Sequence, residues 1–343
     1  MIATLESTQR RIQVDVVDVN SLQQDSPDAR WLAVFRDALG HQPYLLRAES
    51  QGQTCGALPL ALVKSVLFGR FLVSLPYLNS AGVQAADPAV GTALVDRAVQ
   101  LADELNVRYL ELRQEQETSH SALAHASTAK SLMRLALPKT TDELWTSFKS
   151  KLRSQLKAGM KHDFQTEWGG AKLLDEFYHV FSRNMRDLGT PVYPARLFAE
   201  ILLRFPAEAE ICVLRLQGQP LAAALLLHHA HGVSEVPSAS SLRTHNNTNV
   251  NMVMYWQLLS RAIERGQTTF DFGRSTVGGG TYRFKEQWGA SPHPSVWQYY
   301  LRRGSTADMR PDNSRFSLAV KVWQRLPVAV TRLLGPSIVR GIP

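Results

Sequence analysis

Cysteine is scarce in this 343-residue chain: Cys55 and Cys212 are the only two, both in apolar stretches without a second Cys or His at a ligand spacing. Neither a disulfide framework nor a zinc site is expected, and a reducing compartment fits. Long apolar runs are missing too. No stretch reaches the roughly 18 uninterrupted apolar residues of a membrane span, and the N-terminal MIATLESTQRRIQVDVVDV lacks an apolar core of signal-peptide length. A cytoplasmic location is the expectation. A G-x-S-x-G elbow is also absent, which removes the usual way of presenting a nucleophilic serine between a strand and a helix.

What is present is an ordinary globular mixture, 44% hydrophobic and 20% charged, in a chain long enough for two cores. Lys and Arg number 38 against 30 Asp and Glu. The surplus suits contact with phosphates, anionic lipid or acidic substrates, and equally a basic solvated surface.

An internal repeat organises the chain. Tyr44 to Ala48 and Gly56 to Val63 predict a hairpin around Glu49-Ser50-Gln51-Gly52-Gln53. Ile211 to Leu216 and Leu221 to His228 repeat it around Gln217-Gly218-Gln219-Pro220. After each hairpin come a further strand, a loop, a helix and a last strand: Ala93 to Leu105 then Arg108 to Leu112, and Val253 to Arg265 then Thr268 to Phe272. Apolar residues recur at helical spacing in both helices, and Asn106 and Gly266 stand where each must end in a left-handed residue.

Between the copies, Leu144, Trp145, Phe148, Leu152, Leu156 and Met160 form an apolar stripe opposite Lys149, Lys151, Arg153, Lys157 and Lys161. This predicts one basic amphipathic helix over 141–161, either docked on the core or open to anions. Capping residues at 138–143 place a domain boundary there, giving domains 1–139 and 140–304 and a basic amphipathic tail, 305–343.

Chemistry concentrates in Phe270-Asp271-Phe272-Gly273-Arg274-Ser275, a glycine-rich turn to Gly280, and Tyr282-Arg283-Phe284-Lys285-Glu286-Gln287-Trp288-Gly289. A lysine held near a reacting carbonyl can stabilise an oxyanion. The bland alternative is surface pairing of Lys285 and Arg283 with Asp271 or Glu286.

The string FDFGRSTVGGGTYRFKEQWGA resembles the closing motif of FemAB-type transferases, and the tandem repeat resembles their two GNAT-like domains, over about Tyr44 to Leu301. Lys151-Leu152-Arg153-Ser154-Gln155, the stretch Asn184 to Tyr193, and the tail pieces Trp323 to Pro327 and Leu334-Gly335-Pro336 are similar to the FemAB-related group of exosortase, PEP-CTERM and exopolysaccharide systems. The resemblance implies an α/β (α+β) fold of two tandem GNAT-like domains, each a mixed sheet flanked by helices. It also implies transfer of an acyl or aminoacyl group to an amine or hydroxyl of a cell-envelope, peptidoglycan-like or exopolysaccharide precursor. Lys285 and Arg274 would serve the oxyanion or donor anion, with Asp271 as their orienting partner. Tyr282, Arg283 and Trp288 would contact substrate, as would Tyr77, Asn79, Lys151, Arg153, Tyr193, Ser241 and Arg243.

The sequence departs from acetyl-CoA-dependent GNAT enzymes where a glycine-rich pyrophosphate loop precedes a helix. The first copy offers Gln84 to Gly91, the second Arg243 to Asn249, in which asparagine can supply left-handed backbone or simply cap the helix. The donor, acyl-CoA or aminoacyl-tRNA, stays open, and no tightly bound cofactor is expected. His228, His229 and His231 read as hairpin histidines rather than metal ligands. The tail's apolar residues, among them Val320, Trp323, Leu326 and Leu333, alternate with Lys321, Arg325 and Arg332, suiting an inner-membrane surface or the protein's own core. Two other functions fit the residues: a non-catalytic GNAT-pair scaffold for the polysaccharide machinery, and an RNA-binding protein.

Overall fold

A computed structural model describes residues 12–18, 26–65, 69–304 and 317–342. Much of the N-terminal leader reading, and residues 305–316 of the tail, lie outside them. The first hairpin pairs β2 (Gln42–Ser50) with β3 (Gln53–Ser65) around Gln51 and Gly52, both at positive φ. The second pairs β10 (Ala209–Leu216) with β11 (Gln219–His229) around Gln217 and Gly218, again both positive. Positive φ at both turn residues matches the twist of the flanking strands.

Each hairpin leads into the same sequel. In the first copy it is β4 (Gly69–Val73), α2 (Pro88–Glu104) and β6 (Tyr109–Gln114); in the second, β12 (Val233–Ser241), α7 (Val250–Glu264) and β13 (Thr269–Thr276). Leu94, Ala98 and Leu101 bury one face of α2; Met254, Leu258 and Ala262 bury that of α7. Asn106 (φ 53°) and Gly266 (φ 71°) end the helices in the left-handed conformation. The next amides, Val107 and Gln267, then reach back to the carbonyls of Ala102 and Ala262.

In both copies the parallel pairing is short. β4 and β6 pair over three residues, ending at Val73 and Glu111; β12 and β13 do the same, ending at Glu235 and Asp271. Beyond that point the strands diverge, while the opposite edge of β6 and of β13 is paired along its length. β6 takes β15 (Val296–Leu301), from the far end of the chain, and β13 takes β8 (Lys130–Ala136), from before the second copy. The sheets therefore exchange a strand and do not divide at residue 139.

The first sheet runs β1 (Gln13–Val17), β2, β3, β4, β6, β15, β7 (His125–Ser127), with β5 (Gln84–Ala85) on β3. The second runs β14 (Ser291–His293), β8, β13, β12, β11, β10, β9 (Phe164–Gly169). One apolar core continues from the first half into the second. Part of it joins α1 (Pro27–Leu39) to α6 (Ala195–Arg204), where Trp31 packs on Phe205 with ring centroids 4.7 Å apart and Arg30 pairs with Glu208 at 2.8 Å.

The single basic helix expected over 141–161 is two helices, α3 (Thr141–Ser147) and α4 (Ser150–Gly159). Thr140 caps the first through the Glu143 amide, and the Glu143 carboxylate returns to the Lys139 amide. Phe148 and Lys149 are then extended (ψ 143° and 151°). The break turns Phe148 into the core, edge-on to Trp288 and Trp256; an aromatic buried there outweighs two residues of helix.

The tail forms α9 (Ser317–Trp323) and α10 (Val328–Val339). α10 docks on α5 (Leu174–Leu188): Arg332 donates to the Ser182 hydroxyl at 2.8 Å. Gly335 lies so close to Val192 that a Cβ would stand 2.7 Å from the Val192 nitrogen. Its other face stays open, with Leu333 77% exposed and Leu318 of α9 71%.

Candidate functional site

Where β13 leaves β12 it also bulges against β8: two residues, Phe272 and Gly273, oppose one, Met133. Gly273 has φ +75°, backbone that a residue with a Cβ adopts only at a cost. The Asp271 carboxylate closes the bulge, accepting from the Gly273 amide at 2.7 Å. The bulge turns two carbonyls toward α8 (Gly280–Glu286), and Lys285 donates to both, Gly273 O at 3.0 Å and Arg274 O at 3.1 Å. An ammonium has three N–H donors, so one is left. Lys285 is 7% exposed. Burial lowers its pKa to about 8, with Asp271 pulling the other way.

Asp271 does not orient Arg274. It pairs with Arg134 of β8 at 2.8 Å, and Arg134 also holds Glu115. Burial and the Glu235 carboxylate raise the Asp271 pKa, against Arg134. The register explains this arrangement: Asp271 lies opposite Arg134 before the bulge, and the inserted residue carries Arg274 away.

Two cavities flank the bulge. One, about 480 Å³, lies at the start of α7 and is lined by Ser241, Arg243, Asn249, Met252, Tyr255 and Phe284 among others. Asn249 is left-handed (φ 56°) and no side chain caps the helix; the Met252 and Val253 amides donate to the Asn249 carbonyl, leaving those of Val250 and Asn251 to an anion. The second cavity, about 260 Å³, lies between the two sheets. It brings together Tyr77, Asn79, Tyr193 and Arg274, predicted from three separate stretches, with Arg113 and Trp297, which sequence reasoning missed. Tyr77, at φ +72°, has its ring edge-on to Tyr193 and its hydroxyl 2.9 Å from Val339 O and 3.1 Å from Ile342 O. Asn79 donates to Glu235 at 2.7 Å. Lys285 itself lines neither cavity; Phe284 beside it lines the first, and Arg274, whose carbonyl it holds, lines the second.

Other predicted residues lie elsewhere. Trp288 is 1% exposed, packed by Phe148, Tyr255 and Phe284, and lines neither cavity; it anchors α8. Lys151 and Arg283 are exposed, Arg153 and Tyr282 half-buried, and none of the four lines either cavity. His228 bonds Ser234 and Glu210 in a buried network. Among the described residues no group of three or more His, Cys, Asp or Glu is placed to hold a metal.

No curated protein sequence matches the chain. Residues 146–286 match the family model of the acetyltransferase (GNAT) domain. The crystal structure of FemX superposes over 84% of this chain and 97% of its own, with TM-score 0.64 and 15% identity. The C-terminal domain (DUF2156) of a putative lysylphosphatidylglycerol synthetase from Agrobacterium fabrum covers 85% and 91%, at 0.56 and 16%. A tandem GNAT protein from the clavulanic acid biosynthesis pathway covers 86% and 100%, at 0.53 and 12%.

The fold is that of two tandem GNAT-like domains. Within this tandem GNAT-like fold the openings after β4 and after β12 are equivalent, and Glu111 and Asp271 occupy equivalent positions. Aligning the two copies of the repeat, Glu111-Leu112-Arg113 on Asp271-Phe272-Gly273-Arg274, is the signal that would have found Arg113. Glu235, the last residue of β12 paired with β13, bonds Asn79 and His229 and, among the described residues, pairs with no Arg or Lys. A lone Glu in an alternating strand gave no sign of it.

Proposed function

We propose that this chain is an acyl- or aminoacyl-transferase of FemAB type, acting on a cell-envelope precursor, with exopolysaccharide and PEP-CTERM systems as its setting. The observation that carries the reading is Lys285: a buried ammonium with one donor unspent, held on the bulge carbonyls of β13 whose Arg274 lines the cavity between the sheets. The acceptor's amine or hydroxyl attacks the acyl carbonyl carbon. The carbonyl oxygen becomes an oxyanion, which the free N–H of Lys285 stabilises. Glu235 takes the acceptor's proton and returns it to the leaving thiolate or ribose oxygen as the tetrahedral centre collapses.

The cleft at the start of α7 suits the donor, since uncapped amides and Arg243 favour a phosphate-bearing group. The names of two structural neighbours, FemX and the putative lysylphosphatidylglycerol synthetase, agree with an envelope acceptor, as does the FKEQWG motif. No helix among the described residues is long and apolar enough to cross a membrane, and the reading includes peripheral contact through the open face of the tail.

The test is a mass-spectrometric transfer screen. Acyl-CoAs and aminoacyl-tRNAs are offered as donors, and amine- or hydroxyl-bearing peptidoglycan and polysaccharide precursors as acceptors. Acceptor gaining the acyl mass, dependent on the protein, supports the reading; no transfer from any donor by folded protein moves the chain to the scaffold alternative.

A further inference from the structure

Arg113 and Arg274 stand at corresponding places in the two copies. Each follows the carboxylate that ends the parallel pairing, Glu111 or Asp271, with the bulge glycine adding one residue in the second copy. Both guanidinium groups lie over one indole, that of Trp297, at 4.1 Å and 3.4 Å from its centroid. Like charges gathered on one ring in a half-buried cavity repel unless something compensates them.

Compensation is complete for only one. Arg113 pairs with Glu111 at 2.6 Å, and both side chains are about 95% buried. The bulge that presents carbonyls to Lys285 also gives Asp271 to Arg134. Arg274 has no carboxylate at ion-pair distance among the described residues; it lies on the face of Trp297, with the Glu111 carboxylate attracting it from farther off. Burial and the Arg113 charge, only partly offset by Glu111, lower its pKa to about 10, so at neutral pH it remains a cation. The cavity has no acidic residue in its lining, and Tyr77, Asn79 and Tyr193 supply polar groups around the guanidinium.

We propose that the cavity between the two sheets is an oxyanion subsite, in which Arg274, held flat on Trp297, binds a carboxylate or phosphate monoester of the acceptor. Stacking commits the face of the guanidinium and leaves its edge, the fork that matches two oxygens of one anion. At about 260 Å³ the space takes a head group rather than a whole ligand. Val339 and Ile342 of the tail form one wall, so Tyr77 can release their carbonyls and donate to the anion instead. The subsite rests on the transferase reading only for calling the anion part of the acceptor.

The experiment measures binding without turnover, so failure to transfer an acyl group leaves it intact. N-acetyl-alanine, its carboxamide and glycerol phosphate are titrated calorimetrically into the full chain and into Arg274→Gln and Arg274→Lys, folding being checked by circular dichroism. The carboxylate, the phosphate or both bind and the carboxamide does not; which one binds identifies the acceptor's anion. Arg274→Gln weakens binding by about tenfold or more, and Arg274→Lys, which keeps the charge but not the fork, weakens it less. Equal binding of carboxylate and carboxamide, no binding of either anion, or undiminished binding by a folded Arg274→Gln overturns the proposal. Should Arg274→Gln not fold, the carboxamide comparison and Arg274→Lys decide.

Discussion

Replacing Lys285 by Met tests its electrostatics separately from its chemistry. The ammonium is buried against two carbonyls, and its pKa falls from 10.5 to about 8 because burial disfavours the charged form. Between those values the unfolded chain keeps the proton and the folded chain sheds it. The unfolded state thus binds more protons, and stability rises with pH across the window. Going from pH 7 to pH 10, this one group adds about 2.5 kcal/mol to the unfolding free energy of the native chain. Lys285→Met has no such proton, and every other titration is common to both proteins. Urea unfolding of the pair at the two pH values gives the difference directly. Native protein gains on the variant by about that amount as pH rises; a difference that does not move with pH refutes the burial of a charged ammonium here.

Gly273→Ala forces a Cβ into left-handed backbone, with Asn79 Nδ2 3.1 Å from it. A loss of about 1–2 kcal/mol in denaturant unfolding is expected, with slower transfer as the bulge carbonyls shift. Trp288→Ala removes a 1%-exposed side chain and costs about 3–5 kcal/mol by the same measurement; a loss confined to substrate KM, with stability intact, would return Trp288 to the substrate. Vesicles containing anionic lipid retain the chain in co-sedimentation, and Leu333→Asp with Leu318→Asp abolishes that; both positions are exposed, so unchanged retention means the tail's open face does not meet the membrane.

The elements written in local chemistry were legible. Both hairpins follow from β-formers around a Gln-Gly turn, and Asn106 and Gly266 end their helices because each tolerates positive φ. Pairing across long sequence distances was not legible. Nothing in Val296–Leu301 marks it for the first sheet, where it pairs along the edge of β6 that faces away from β4. The same blindness hid Trp297, the ring on which both arginines stack. Trp288 shows the reverse: the motif sets an aromatic among charged residues, and only the break at Phe148 reveals that the core buries it. Of the motif itself, residue type singled out Lys285, while its partners, two backbone carbonyls of a bulge, have no side-chain signature.

Single-turnover transfer at saturating donor, comparing native chain with folded Lys285→Met, addresses the role of Lys285 most directly. An ammonium that donates to the developing oxyanion predicts a rate lower by about 10²–10³-fold in the variant, and in the native chain an alkaline fall near pH 8 as the proton is lost. A variant that transfers at the native rate, with no alkaline limb in the native profile, contradicts it.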